Sequence, residues 1–338
     1  MKPGLNAGFF FIFTGMNKSE ARIVFMGTPP FAVPSLMALV NNGYHVVGVI
    51  TAPDRPAGRG KTITHSAVKS CAMELGLSIL QPENLKDPAF IDELKALKAD
   101  LQIVVAFRML PPQVWEMPPL GTFNLHASLL PQYRGAAPIN HALINGETIT
   151  GVTTFLLDKD IDTGKILYQE SIQIGPDDDA GTLHDRLMEL GSNLIIKTTD
   201  SILHDQINPI SQSEVVASNY ELKKAPKIFK QDCFINWQLS GQRIDNFVRG
   251  LSPYPAAISI LHKNNGDEVS IKIFKTEFMP AEHDLSPGTI KTPDNKKIWV
   301  AVQDGFISIE ELQQSGKKRL HADEFLRGIG HFSPGYLR

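Results

Sequence analysis

The chain has 338 residues, 42% of them hydrophobic and 20% charged, with a formal net charge of −3. Such a chain buries substantial cores and predicts two domains rather than disorder, and no stretch approaches the roughly 20 apolar residues needed to cross a bilayer. Cys71 and Cys233 lie far apart and form no CxxC, which excludes a disulfide framework and a cysteine-built zinc site and fits a reducing cytoplasm.

In chain order, residues 1–21 read as a loose extension. The phenylalanine-rich run 8–13 faintly resembles the middle of a signal peptide, yet no convincing cleavage site follows, and Met16 is an alternative start. Residues 22–26, 45–51 and 101–106 are short apolar runs rich in Val and Ile and read as buried parallel strands. Between them, 31–41, 66–75 and 88–97 carry apolar residues at helical spacing, which predicts alternating strand and helix in a doubly wound sheet. Residues 122–126 continue the strand series. Residues 150–157 and 166–174 predict a hairpin-like pair around a polar loop, 158–164, and a long amphipathic helix over about 181–205 closes a domain spanning 22–205. A polar linker, 206–226, leads to a second domain, 227–338. There, 256–261, 268–274, 297–302 and 305–312 alternate between Asn-Gly, Pro-Gly and Asp-Gly turns and predict a small antiparallel barrel.

Charge is uneven along the chain. Residues 221–338 carry 17 Lys plus Arg against 14 Asp plus Glu, a balance of +3, which leaves 16 against 22, or −6, for residues 1–220. A mildly basic C-terminal part is compatible with a polyanionic partner, and equally with an ordinary solvated surface.

Several familiar sites are ruled out. The turn after the first strand holds Gly27 alone, followed by Pro29 and Pro30, where a dinucleotide loop needs three spaced glycines; no GxxxxGK[ST] cradle for ATP is present. Asp158, Asp160 and Asp162 alternate like the start of a calcium loop, but the glycine falls one place late and Gln169 replaces the twelfth-position Glu. No metal is expected.

The candidate chemistry starts at the strand 122–126. Residues two apart in a strand project to one face, so Asn124 and His126 share a pocket at the carboxyl edge of the sheet, where ligands of doubly wound folds bind. An Asn amide can donate to a developing oxyanion while an imidazole moves a proton. The same pair also serves as a hydrogen-bonded structural element. Asp162 either joins His126, holding a water between the two groups, or is a turn residue ahead of Thr163-Gly164. The loop Asp54-Arg55-Pro56-Ala57-Gly58-Arg59-Gly60-Lys61 either grips phosphates or is plain exposed loop. Lys223, Lys224, Lys227 and Lys230 cluster at the domain junction, where lysines are commonplace.

Taken together, Asn124-x-His126-x-Ser128-Leu129-Leu130-Pro131-x-Tyr133-Arg134-Gly135-Ala136-Ala137-Pro138, with Asp162-Thr163-Gly164 downstream, closely resembles the folate-dependent formyltransferases. With Gly27-Thr28-Pro29, the basic loop and the second domain added, the chain is similar to the branch of that family acting on methionyl-tRNA. The resemblance implies a Rossmann-like α/β domain followed by an OB-like antiparallel β-barrel, with 10-formyltetrahydrofolate as formyl donor and no metal. It makes Asn124, His126 and Asp162 catalytic and assigns folate contacts to Ser128, Leu129, Leu130, Pro131, Phe107 and Met109. It assigns tRNA contacts to Arg55, Arg59, Lys61, Lys227 and Lys230. The implied partner is initiator methionyl-tRNA, formylated for translation initiation by a cytoplasmic monomer with no membrane association. The alternative acceptor is a small amine such as an aminosugar or a purine precursor. Two positions depart from the family pattern: Arg108 stands where a small residue is usual, and Asn236 replaces the usual Asp in Ile235-Asn236-Trp237.

Overall fold

The computed structural model describes residues 15–57, 62–215, 221–262, 266–294, 296–329 and 335–338. The first sheet contains β1 (Arg22–Gly27), β2 (His45–Ile50), β3 (Ile79–Leu80), β4 (Leu101–Val105), β5 (Thr122–His126), β6 (Ile149–Leu156) and β7 (Ile166–Gln173). Their spatial order is β7-β6-β5-β4-β1-β2-β3. The strands from β1 to β5 pair in parallel, and β6 and β7 add an antiparallel edge.

The two-residue period of a strand explains the layering. Ile23 and Phe25 of β1, Ile103 of β4 and Phe123 and Leu125 of β5 pack on one face with α1 (Val33–Asn41), α2 (Ala67–Glu74) and later helices of the chain. Val24, Met26 and Val104 point the other way, onto Phe90, Ile91 and Leu94 of α3 (Pro88–Ala96). Chain order reverses direction between β1 and β4, so the loops leaving their carboxyl ends part and open a crevice. Two further helices complete this layer, α4 (Pro138–Ile144) and the long α5 (Ala180–Leu203). The Asp179 side chain accepts from Thr182 N at 2.8 Å and the Thr182 hydroxyl from Asp179 N at 2.9 Å, which satisfies two free amides at the start of α5.

Several boundaries differ from expectation for local reasons. A short 3-10 helix, Pro30–Ala32, precedes α1, because a proline is tolerated only in the first helical turn and Pro34 lies at the second helical position. Residues 15–21 are held rather than loose: Met16 N donates to Leu203 O at 2.9 Å and His45 N to Lys18 O at 3.2 Å. Residues 1–14 lie outside the described residues. The expected linker is likewise pinned where it is described. Ile210 bridges Ile166, a short helix spans Gln212–Val215, and Lys224–Ala225 pairs in parallel with Arg134–Gly135. Such tethers run backbone to backbone and leave no periodicity to read.

The second sheet contains β8 (Ala257–His262), β9 (Glu268–Pro280), β10 (Ile290–Lys291), β11 (Ile298–Val302), β12 (Gly305–Gln314), β13 (Arg319–His321) and β14 (Tyr336–Leu337). The order β10-β11-β12-β9-β8-β14, with β13 on β12, curls into a nearly closed antiparallel barrel. The ends meet where Thr289 bridges Tyr336 and Leu337 N donates to Gly288 O at 2.8 Å. β9 runs six residues beyond the expected end at 274, since register shifts beside Lys275 break the alternation that marks a strand.

Two helices in this half were not anticipated, α6 (Gly241–Leu251) and α7 (Ala322–Ile329). Ile244, Val248 and Leu251 plug α6 into the barrel core. Its other side meets α4, where Asn140 Nδ2 donates to Gly250 O at 2.8 Å and joins the two halves. Asn236 keeps a local turn bond, its side-chain oxygen accepting from Gln238 N at 3.0 Å.

Candidate active site

A cleft of about 720 Å³ opens at the carboxyl ends of β1, β4 and β5. Phe107, Leu110, Trp115, Ile139 and Leu157 give it apolar walls, and Asn124, His126 and residues 158–162 supply its polar side. Val104 and Asn124 are register partners on one face, and His126, two residues on, projects to the same side. The strand places this pair as its spacing predicted.

Each polar group is differently held. Among the described residues the Asn124 carboxamide has no hydrogen-bond partner, although it lines the cleft and is only half-buried. His126 is buried, with Nε2 2.9 Å from Tyr133 O. A carbonyl only accepts, so Nε2 carries a proton and Nδ1 is the nitrogen available for exchange. Nδ1 lies 3.9 Å from Asp162 Oδ2, too far for a direct hydrogen bond but suited to an ion pair or a bridging water.

Asp162 is fixed from several directions. Its carboxylate accepts from Gly135 N at 2.9 Å. Its backbone is left-handed, φ +54°, a conformation that Asp tolerates better than most residues. Gln212 Nε2 donates to Asp162 O at 2.9 Å and Gly164 O at 2.8 Å. Gln212 Oε1 in turn accepts from Arg134 Nε at 3.0 Å and Nη2 at 2.6 Å. A Cβ on Gly164 would stand 1.7 Å from Leu156 O, so only glycine fits where the loop closes against β6.

The remaining candidates divide. Phe107 and Met109 line the cleft, and Met109 is 67% exposed. Ser128, Leu129, Leu130 and Pro131 do not line it. Ser128 Oγ donates to Gln132 O at 2.7 Å, and Leu130 packs on Phe155 and Ile166, so these side chains brace the turn behind His126. Arg108 lines the cleft while its guanidinium donates to Pro82 O and Glu83 O, tying the loops after β3 and β4 together. Burial, and secondarily Arg55, disfavours its charged form.

Arg55 lies exposed at the base of the basic loop. Beside it the Asp54 carboxylate accepts from Gln81 Nε2 at 2.9 Å and is paired with Lys69 and His65, which hold it well below the usual carboxylate range. Arg59 and Lys61 lie outside the described residues. Lys227 and Lys230 are exposed where the chain enters the second domain, the Lys227 ammonium 5.4 Å from the Phe229 ring centroid.

A family model for the formyl transferases matches residues 21–199, and one for the formyl transferase C-terminal domain matches 227–330. A methionyl-tRNA formyltransferase of Bacteroides thetaiotaomicron is 56% identical over 321 residues, 95% of this chain and 99% of that protein. The chain belongs to the methionyl-tRNA formyltransferase family. A member from Flavobacterium johnsoniae is 53% identical over 310 residues, 92% of this chain and 96% of that protein. The fold extends beyond the family. An N-formyltransferase of Helicobacter canadensis, solved with folinic acid and dTDP-3-aminofucose, superposes with a TM-score of 0.61 at 19% identity, covering 89% of this chain and 100% of that one. HypX of Aquifex aeolicus, solved with tetrahydrofolic acid, superposes at 0.60 with 16% identity, covering 92% of this chain and 47% of HypX.

Sequence reasoning overlooked the support of the site. The Tyr133 carbonyl, the Gly135 amide and the Gln212 side chain all act on or through backbone atoms, which carry no residue signature. Gln212, 3% exposed in a polar stretch, breaks the rule that glutamine there faces solvent, but only burial reveals it.

Proposed function

We propose that the chain transfers the formyl group of 10-formyltetrahydrofolate to the α-amine of initiator methionyl-tRNA, giving N-formylmethionyl-tRNA for translation initiation. The observation that carries the mechanism is the meeting of Asn124, His126 and Asp162 at one apolar-walled cleft. The flat ring system of a folate fits such walls, with Phe107 and Met109 holding the donor beside Asn124.

The amine nitrogen attacks the formyl carbon, a C–N bond forms, and the carbonyl pair moves onto oxygen. The free Asn124 amide donates to that oxygen, and the charged form of His126 stabilises it from Nδ1. Asp162, fixed 3.9 Å from Nδ1, supports the imidazolium and holds a water. Through that water the proton leaving the amine reaches the folate nitrogen as the original C–N bond breaks and its electron pair returns to that nitrogen. The products are the formylated amine and tetrahydrofolate.

In this reading Arg55, Arg59, Lys61, Lys227 and Lys230 meet tRNA phosphates, and the enzyme works as a cytoplasmic monomer. Its high identity to named relatives along nearly the whole chain favours the tRNA acceptor over a small amine. Incubating the enzyme with 10-formyltetrahydrofolate and either methionyl-tRNA or an amino sugar nucleotide tests the choice. Formylation of the sugar and not of the methionyl-tRNA would overturn it.

A further inference from the structure

We infer that Gln212, outside the cleft and in the segment leading to the second domain, is a positioning residue that sets the backbone of Asp162 for proton transfer. The inference rests on the role proposed above for Asp162. Gln212 is 3% exposed, and its two ends face opposite chemistry. Its amide hydrogens meet the carbonyls of Asp162 and Gly164 at 2.9 and 2.8 Å, bracketing Thr163 and fixing the loop on both sides. Its oxygen takes both Arg134 contacts, at 3.0 and 2.6 Å, so the amide cannot flip without setting oxygen against two carbonyls.

Arg134 gives the bracket its second effect. The next residue is Gly135, whose N–H holds the Asp162 carboxylate at 2.9 Å. A single buried side chain thus ties the two segments that grip Asp162, one by its backbone and one by its carboxylate. Asp162 holds a left-handed φ of +54°, which Asp tolerates but which still costs something that the bracket offsets. Without the bracket the loop regains freedom, and the carboxylate drifts from its 3.9 Å station beside His126 Nδ1. Lys224–Ala225, just ahead of the second domain, pairs in parallel with Arg134–Gly135, so the segment that holds the Asp162 carboxylate also meets the chain entering that domain.

The test uses the full chain and single-turnover formyl transfer to methionyl-tRNA, comparing Gln212→Leu, Gln212→Glu, Asp162→Asn and the double variants. Gln212→Glu keeps an oxygen for Arg134 but turns a second oxygen on the carbonyls. Misplacement by an ångström costs up to a hundredfold in rate, so each Gln212 variant should lower kcat roughly ten- to a hundredfold. KM for both substrates and the cooperative thermal transition should be kept in Gln212→Glu. In the Asp162→Asn background the Gln212 change should cost no further rate, because the group it positions is gone. Normal kcat in both Gln212 variants, or losses that multiply with Asp162→Asn, would overturn the inference while leaving Asp162 catalytic. Near-normal turnover of Asp162→Asn itself would instead overturn the site reading.

Discussion

Replacing Asn124 with alanine separates chemistry from folding, because the side chain has been left out of the protein's own hydrogen bonding. The carboxamide has no partner among the described residues and stands half-buried at the cleft. Its removal therefore orphans no buried group, and the change in stability should stay within about 1 kcal/mol, or roughly 2 °C in melting temperature for a chain of this length. Loss of one oxyanion donor costs about 2.7–4 kcal/mol. At 1.36 kcal/mol per decade, kcat should fall about a hundred- to a thousandfold. Binding of the donor, measured by equilibrium titration, should change by less than about threefold, since the interaction grows only as charge develops. Asn124→Asp is the isosteric control: it places an anion where the oxyanion forms, and its kcat should fall at least as far. Single-turnover formyl transfer reads the rate, and thermal melting reads the fold. A kcat for Asn124→Ala within about fivefold of the parent, with donor binding intact, would refute the assignment.

Gly164→Ala drives a Cβ to 1.7 Å from Leu156 O; the loop must move, and both the melting temperature and the transfer rate should drop sharply, whereas Gly43→Ala, with open space around it but a φ of +78°, lowers the melting temperature and leaves the rate alone. Asp245 on α6 has its carboxyl raised above the usual value by burial, against the bond it accepts from Thr276. A raised carboxyl disfavours the folded state once ionised, so stability from this group is present at acid pH and lost as pH rises through the folded value. Asp245→Asn should accordingly raise the melting temperature at neutral pH, with the gain shrinking as pH falls through the raised folded value and gone by about pH 4, where the carboxyl is protonated in the unfolded chain too; a gain independent of pH would contradict the cause given. Binding of methionyl-tRNA should weaken as salt rises, and Arg55→Ala should reduce the log–log slope by about one; an unchanged slope would remove Arg55 from the phosphate contacts.

What the sequence disclosed depended on whether a residue's task was carried by its side chain or by its backbone. Asn124 and His126 stand two apart on an apolar strand, and period two alone put them on one face. The layers of the first domain followed from the same period in β1, with Ile23 and Phe25 opposed to Val24 and Met26. The helix α6 carries Ile244, Val248 and Leu251 at helical spacing, but it is short, and few other apolar positions extend the pattern. The stretch from Ser128 to Pro131 was legible only through resemblance, and spacing alone gave no sign that the buried Ser128 and Leu130 brace the turn behind His126. Gln212 could not have been found by pattern, since its partners are two carbonyls and an arginine 78 residues away.

The seam between Gly288–Ile290 and Tyr336–Leu337 makes the carboxyl end of the chain a structural closure of the barrel. With those last residues removed or pulled away, the backbone groups of Gly288 and Ile260 that they satisfy would face solvent. Unpaired strand edges recruit strands from other molecules. A short truncation or a bulky carboxyl-terminal tag would therefore be felt first as self-association and poor recovery of soluble protein, before any effect at the distant cleft.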